Sequence, residues 1–316
     1  MYENDSKGIS YTAGFFMLIA FAVAGIIIAS IISIPIWTNM TGKSILDMEK
    51  YMTDPAYSNA IKVIQSITAV VGFFVPAVLT AFLLNHKPFN LLGFTGRINY
   101  KQLGLVIVIV FAALVVSGAL SGVNEQIPVS PSWKMKFDKM EKDYMQQVEA
   151  IVGLDNIWQL LLSIFIMAFL PALCEETLFR GGLQNFLTRS AGKPWIAIVV
   201  VSIIFSLSHF SYYGFLSRMF LGIVLGLLYY YSGRLWISVA AHFLNNALAI
   251  SMLYIYKMQG KPIDEAMGDT ATTGYWGFLM LPVLIALLIL FRKMSPQPLK
   301  EPIDPEREEL RNTPFY

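Results

Sequence analysis

The sequence predicts an all-α, polytopic membrane bundle of about eight transmembrane helices, and three observations carry that expectation. The 316 residues are 56% hydrophobic and only 14% charged, where a soluble domain holds about 25% charge. Apolar runs of about 20 residues, each long enough to cross roughly 30 Å of hydrocarbon, recur along the chain between polar breaks. Trp37, Trp158, Trp195, Trp236 and Trp276 all fall at the ends of those runs, as an interfacial aromatic belt would place them.

Composition also narrows function. A net charge of +2 with no long basic run gives nucleic acid nothing to bind. The single cysteine, Cys174, excludes an intramolecular disulfide and a multi-cysteine zinc site.

In chain order, the polar start Met1 to Ser10 leads into a first span, Thr12 to Trp37, too long for a signal-peptide core and so read as retained. A second span, Asn59 to Leu84, carries Pro76 as a kink. The third is Leu103 to Val123. After the Pro128-Val129-Ser130-Pro131 breaker, Trp133 to Val148 places Met135, Met140, Tyr144 and Val148 on one helical face and reads either as an interfacial helix or as a solvated loop helix. The fourth span begins near Asp155, a candidate N-cap, and continues to about Thr188, broken or bent near Gly181-Gly182. Trp195 to His209, Gly214 to Tyr231, Leu235 to Tyr256 and Tyr275 to Phe291 complete the set. Gly222 and Gly226 have the small-xxx-small spacing of close helix packing.

One transmembrane domain, 1–291, is thus expected, followed by a polar, disordered tail, 292–316. An even number of spans puts both termini on one side. Lys7, Lys87, Arg97, Lys101, Arg189, Lys193, Arg234 and the basic residues of the tail mark that side as cytoplasmic.

The costly residues are the informative ones. Glu175, Glu176 and Arg180 close the apolar run Leu160 to Leu173, and ionisable groups beside lipid are functional candidates by default. Glu176 and Arg180 are one helical turn apart, which predicts a local ion pair and leaves Glu175 facing elsewhere. Glu175 and His209 each lie roughly 17 residues from the Ala191-Gly192 turn, so an antiparallel hairpin brings them to similar depth. His242 enters from the same side and Asn246 sits one turn deeper on its face. For these depths to match, Phe179 to Thr188 should protrude as an amphipathic segment near the cytoplasmic surface. His86, in a loop, is expected to be neutral to function, and Cys174 to be a small buried residue.

A carboxylate with a histidine can take a proton from water, and a second histidine with an amide can hold a developing oxyanion. That combination points to amide hydrolysis. Glu175, His209 and His242 are also a two-histidine, one-carboxylate ligand set, so a metal variant stays open. No His-Glu-x-x-His and no Gly-x-Ser-x-Gly is present. The plainer reading of the cluster is an ion-pair network at a helix end.

At Glu175-Glu176-x-x-x-Arg180, Phe205-x-x-x-His209 and His242-x-x-x-Asn246, the sequence resembles the CAAX protease and bacteriocin-processing (CPBP, or Abi) family of intramembrane proteases, which includes the type II CAAX prenyl endopeptidases. The resemblance covers about 155–256, a catalytic core of roughly a third of the chain. It implies an eight-helix bundle with a membrane-embedded active-site cavity and no required metal or cofactor. It implies further that Glu175 and His209 activate water, that His242 and Asn246 stabilise the oxyanion, and that Glu176 and Arg180 support the site. A peptide or membrane-protein substrate is implied, prenylated CAAX proteins being one option; the compact form of the chain suggests a bacterial plasma membrane. Two other classes compete: a non-catalytic scaffold or bacteriocin-immunity protein of the same fold, and a transporter using the acid–histidine cluster as a proton relay, for which no internal repeat speaks.

Overall fold

The computed structural model describes residues 5–96, 99–152, 156–261 and 274–295, and among them every regular element is helical. Tyr11–Thr41 (α1) begins on the side chain of Ser10, which accepts the backbone N–H of Ala13. It packs along Pro55–Leu84 (α2). Tyr100–Glu125 (α3) follows, then the amphipathic helix Pro131–Val152 (α4). Ile157–Ala191 (α5) is the longest helix described and carries Glu175, Glu176 and Arg180. Asp155 lies outside the described residues; the cap is the Asn156 side chain, which accepts from the Gln159 N–H. Pro194–Leu207 (α6), Phe215–Ser232 (α7), Leu235–Met258 (α8) and Tyr275–Met294 (α9) complete the bundle.

Seven of these helices are long and apolar enough to cross a membrane, in keeping with a multi-pass membrane protein. The eighth expected span is different. α6 has 14 residues and so reaches only about 21 Å, short of the roughly 30 Å of hydrocarbon. It turns at Ser208, so His209 lies just beyond the helix and not within it. At the other end of the chain, helix continues through Arg292 and Lys293 to Met294, past the expected start of the tail. Residues 296–316 lie outside the described set.

Of five apolar clusters among the described residues, two are large. Leu18, Leu84, Leu92, Phe186 and Phe205 join α1, α2, α5 and α6, while Ile109, Val116, Leu228, Ile237, Leu284 and Phe291 join α3, α7, α8 and α9. The outward faces remain apolar: Phe16, Ile27 and Ile31 on α1 are more than half exposed, as lipid-facing residues would be. Trp37 departs from the expected belt. It is fully buried against Ala60, Ile61 and Ile64, with its indole N–H on the Ser44 carbonyl, whereas Trp158, Trp195, Trp236 and Trp276 are exposed.

Three π-helical stretches shape the bundle. Val70–Phe74 directly precedes the turn holding Pro76, and Phe165–Phe169 directly precedes the turn holding Pro171. Proline has no N–H to donate and its ring crowds the carbonyl four residues back, so a wider turn ahead of it accommodates the defect without ending the helix. The third stretch, Thr177–Gln184, contains no proline and follows Glu176 immediately.

That third stretch narrows one expectation, a break or bend at Gly181-Gly182, and corrects another. The helix does not break at Gly181-Gly182 but continues through wide turns to Ala191. The two glycines serve close approach: a Cβ on Gly181 would stand 2.8 Å from the Leu92 carbonyl oxygen, and one on Gly182 would strike Leu18. Nor is Phe179 to Thr188 an amphipathic surface segment. Its polar residues Arg180, Gln184, Asn185 and Thr188 are all at most 2% exposed. Neighbouring backbone satisfies two of them: Gln184 donates to Gly226 O at 2.9 Å and Asn185 to Leu91 O at 2.6 Å.

Candidate active site

The acid pair is divided by its neighbours. The Arg180 guanidinium reaches Glu176 Oε1 at 2.7 Å, with both side chains fully buried. A second arm of the same guanidinium donates to the Gly222 carbonyl on α7 at 3.2 Å. The glycine there lets α7 come close enough, since a Cβ would meet Ser202 of α6 at 3.0 Å. Thus the spacing of Glu176 and Arg180 fixes the pair, and tertiary packing supplies the third partner.

Glu176 has a further role that spacing alone could not reveal. Its Oε1 also lies 2.8 Å from His242 Nδ1 on α8. A carboxylate held by arginine can only accept here, so the His242 Nδ1–H donates and the ring turns Nε2 toward the cavity. Nε2 lies 3.9 Å from Glu175 Oε2, an oxygen with no hydrogen-bond partner among the described residues. His242 therefore stands between the two carboxylates, bonded to the supporting one and facing the other.

His209 is oriented by its own helix end. Its Nδ1 is 2.8 Å from the Phe205 carbonyl, which can only accept, so the neutral ring carries its proton on Nδ1 and presents the Nε2 lone pair. Phe210 beside it takes a left-handed backbone (φ 50°), rare for a bulky residue and a sign that this turn is held by its surroundings. Asn246, on the face of α8 below His242, accepts from the Asn245 amide through Oδ1 at 3.0 Å. With Oδ1 engaged, its amide N–H groups are the free donors.

Glu175, His209, His242, Asn245 and Asn246 line one cavity of about 560 Å³, within the size range of ligand pockets. Gln65 of α2, Tyr144 of α4 and Arg218 of α7 share its wall. Glu176 and Arg180 stand behind that wall. Among the described residues, no group of three or more His, Cys, Asp or Glu is placed to hold a metal ion, so the two-histidine, one-carboxylate ligand set does not assemble in this arrangement. Cys174 is buried and His86 is exposed in its loop, bonded through its backbone to Asp5.

Three residues take roles here that sequence reading did not give them, although Phe205 stood in the motif Phe205-x-x-x-His209. The Phe205 ring is the common contact of the site: it lies edge-on to His209 and His242 (centroids 4.8 and 5.8 Å), and the Arg180 guanidinium covers it at 4.6 Å. Its place one turn before His209 was the available signal. Asn245 had none, because adjacent residues on a helix do not ordinarily share a face. Arg218 reads as an ordinary cationic residue until the fold turns it inward.

α4 closes one side. Ser211 donates to Glu141 at 3.0 Å, Tyr213 donates to Asp138, and the Phe137 and Tyr212 rings stack at 4.3 Å. The helix is therefore fastened to the turn that carries His209. Met135 and Met140 on its apolar face are exposed, while Tyr144 and Val148 reach the cavity.

Residues 157–248 match the family model described as Rce1-like, type II CAAX prenyl endopeptidase. That segment runs from the start of α5 to two residues beyond Asn246, and so spans the cluster. Comparison with curated proteins and with solved structures returns no match.

Proposed function

We propose, from the similarity of 157–248 to a CAAX-type protease family and from the one cavity that gathers the polar cluster, that this chain is a glutamate-dependent intramembrane endopeptidase. Glu175 and the Nε2 lone pair of His209 take a proton from water, and the water oxygen attacks the peptide carbonyl. Negative charge develops on the carbonyl oxygen. Asn246 donates to it through its free amide, and His242 donates as the imidazolium from Nε2, steadied on its other side by Glu176. Collapse of the tetrahedral intermediate breaks the C–N bond, and the proton held by Glu175 or His209 passes to the departing amine. Glu176 and Arg180 position His242 and touch no substrate.

The observation that carries this reading is the tautomer arrangement: both histidines are fixed through Nδ1, by a carbonyl and by a carboxylate, so both present Nε2 to one cavity with Glu175. A pair of satisfied core histidines would have no reason to converge so.

Peptide and membrane-protein chains are the substrate class, with prenylated CAAX proteins one member of it. Lys7, Lys87, Lys101, Arg189, Lys193 and Arg234 support a cytoplasmic side for the segments that carry them. Comparing membrane peptides from cells carrying the wild type with those from cells carrying Glu175→Ala tests activity and names the substrate together. Glu175→Ala and His209→Ala should each lower hydrolysis by at least about 10³-fold while the protein remains folded; full activity in either variant would falsify the assignment.

A further inference from the structure

Arg218 is the one arginine or lysine on the cavity wall among the described residues. The residue is partly exposed; its Nη1 is buried over Gly214 without a hydrogen-bond acceptor, and its guanidinium reaches no carboxylate among the described residues. Burying a guanidinium N–H without an acceptor is unfavourable, and arginine is ordinarily buried only when paired. Two features hold it in this position. The side chain folds back over the start of its own helix, where Gly214 leaves the space that any Cβ would occupy. The Tyr144 ring of α4 lies across its other face, 6.0 Å from centroid to guanidinium carbon. The other ionisable wall groups are Glu175, His209, His242 and Tyr144, and Glu175 is turned to His242.

We propose that Arg218 is a carboxylate-binding subsite: it anchors a peptide through a carboxylate and thereby sets which bond stands before Glu175. Guanidinium and carboxylate match bidentately, and within a partly enclosed cavity the pair is stronger than at a surface. A peptide carries that group either at its C-terminus or on an Asp or Glu side chain. The subsite rests on the reading of the cavity as a peptide site, but its test needs no turnover.

The test measures binding of a dansylated apolar pentapeptide to the purified full-length chain in detergent, in three forms. These are a free C-terminal acid, the C-terminal amide, and the amide with one internal Asp. Wild type should bind the acid on the order of tenfold more tightly than the plain amide. Arg218→Gln should erase that difference, Arg218→Lys should keep part of it, and Gly214→Ala, which displaces the guanidinium, should weaken it. Tight binding of the Asp-bearing amide assigns the side-chain carboxylate as the source, and tight binding of the acid alone assigns the C-terminus. Equal affinity for acid and amide in wild type, no binding of any form, or a preference that survives Arg218→Gln overturns the subsite. Acid preference without any cleavage would leave it standing and sink the protease reading; cleavage without acid preference would do the reverse.

Discussion

Glu176 shows how one residue can serve two neighbours at once. It balances a fully buried arginine and fixes the imidazole of His242, both through the same oxygen. Removing its charge should therefore have two separable effects. Glu176→Gln leaves Arg180 buried without a counter-ion, which typically costs about 3–5 kcal/mol. It also frees the His242 ring. We expect a large loss of thermal stability in detergent and, in the folded fraction, a fall in kcat with KM little changed. A variant as stable as wild type would contradict the burial of an ion pair here. His209 and His242 could each be read as polar candidates from the sequence, but which nitrogen faces the cavity depends on a carbonyl and a carboxylate that only the fold brings near.

Among the elements, α7 and α4 act in opposite ways. α7 is tightly seated: a Cβ on Gly226 would stand 2.8 Å from Gln184 Oε1 and 3.0 Å from Ile198. Gly226→Leu should force α5, α6 and α7 apart and destabilise the protein by about 1–3 kcal/mol, read as a lower unfolding temperature. The small-xxx-small pattern was legible in sequence. Its partners, a buried glutamine and an isoleucine from two other helices, were not. α4 is held more loosely, by polar contacts at its exposed side. The Tyr213 hydroxyl and the Lys134 ammonium hold the Asp138 carboxyl below its ordinary range. A depressed carboxyl stabilises above its unfolded pKa, near 3.9, and that contribution disappears as pH falls through the lower folded value. Hydrogen exchange at residues 208–214 should therefore speed up as the solution is acidified from about pH 5 to pH 3, and Asp138→Asn should remove that pH dependence. Unchanged exchange across this window in the wild type would count against the fastening of α4.

For the whole molecule, the two large apolar cores meet at α6, which gives Ile198 to one and Val201 and Phe205 to the other, and the Phe205 ring borders the polar cluster. That placement surrounds the ionisable groups with protein, which is how a membrane-spanning chain tolerates them. It also bears on metal dependence. With no three-ligand set gathered among the described residues, hydrolysis should persist in EDTA. Loss of activity in chelator that zinc restores would overturn the metal-free mechanism.

The sequence by itself determined the membrane class, most span positions, the ion pair of Glu176 and Arg180 and the identity of the polar cluster. These follow from hydropathy and helical spacing, both local properties of the chain. It misjudged α6, Trp37 and Phe179 to Thr188, where length and polarity suggested a full span, a lipid interface and a solvated face. Tertiary structure decided those cases because a backbone carbonyl from another helix can satisfy a polar side chain as well as water can. It also decided that His242 stands between the two glutamates and that Arg218 faces the same cavity. Both depend on how closely four helices approach, a distance that glycines permit and that no spacing along one helix records.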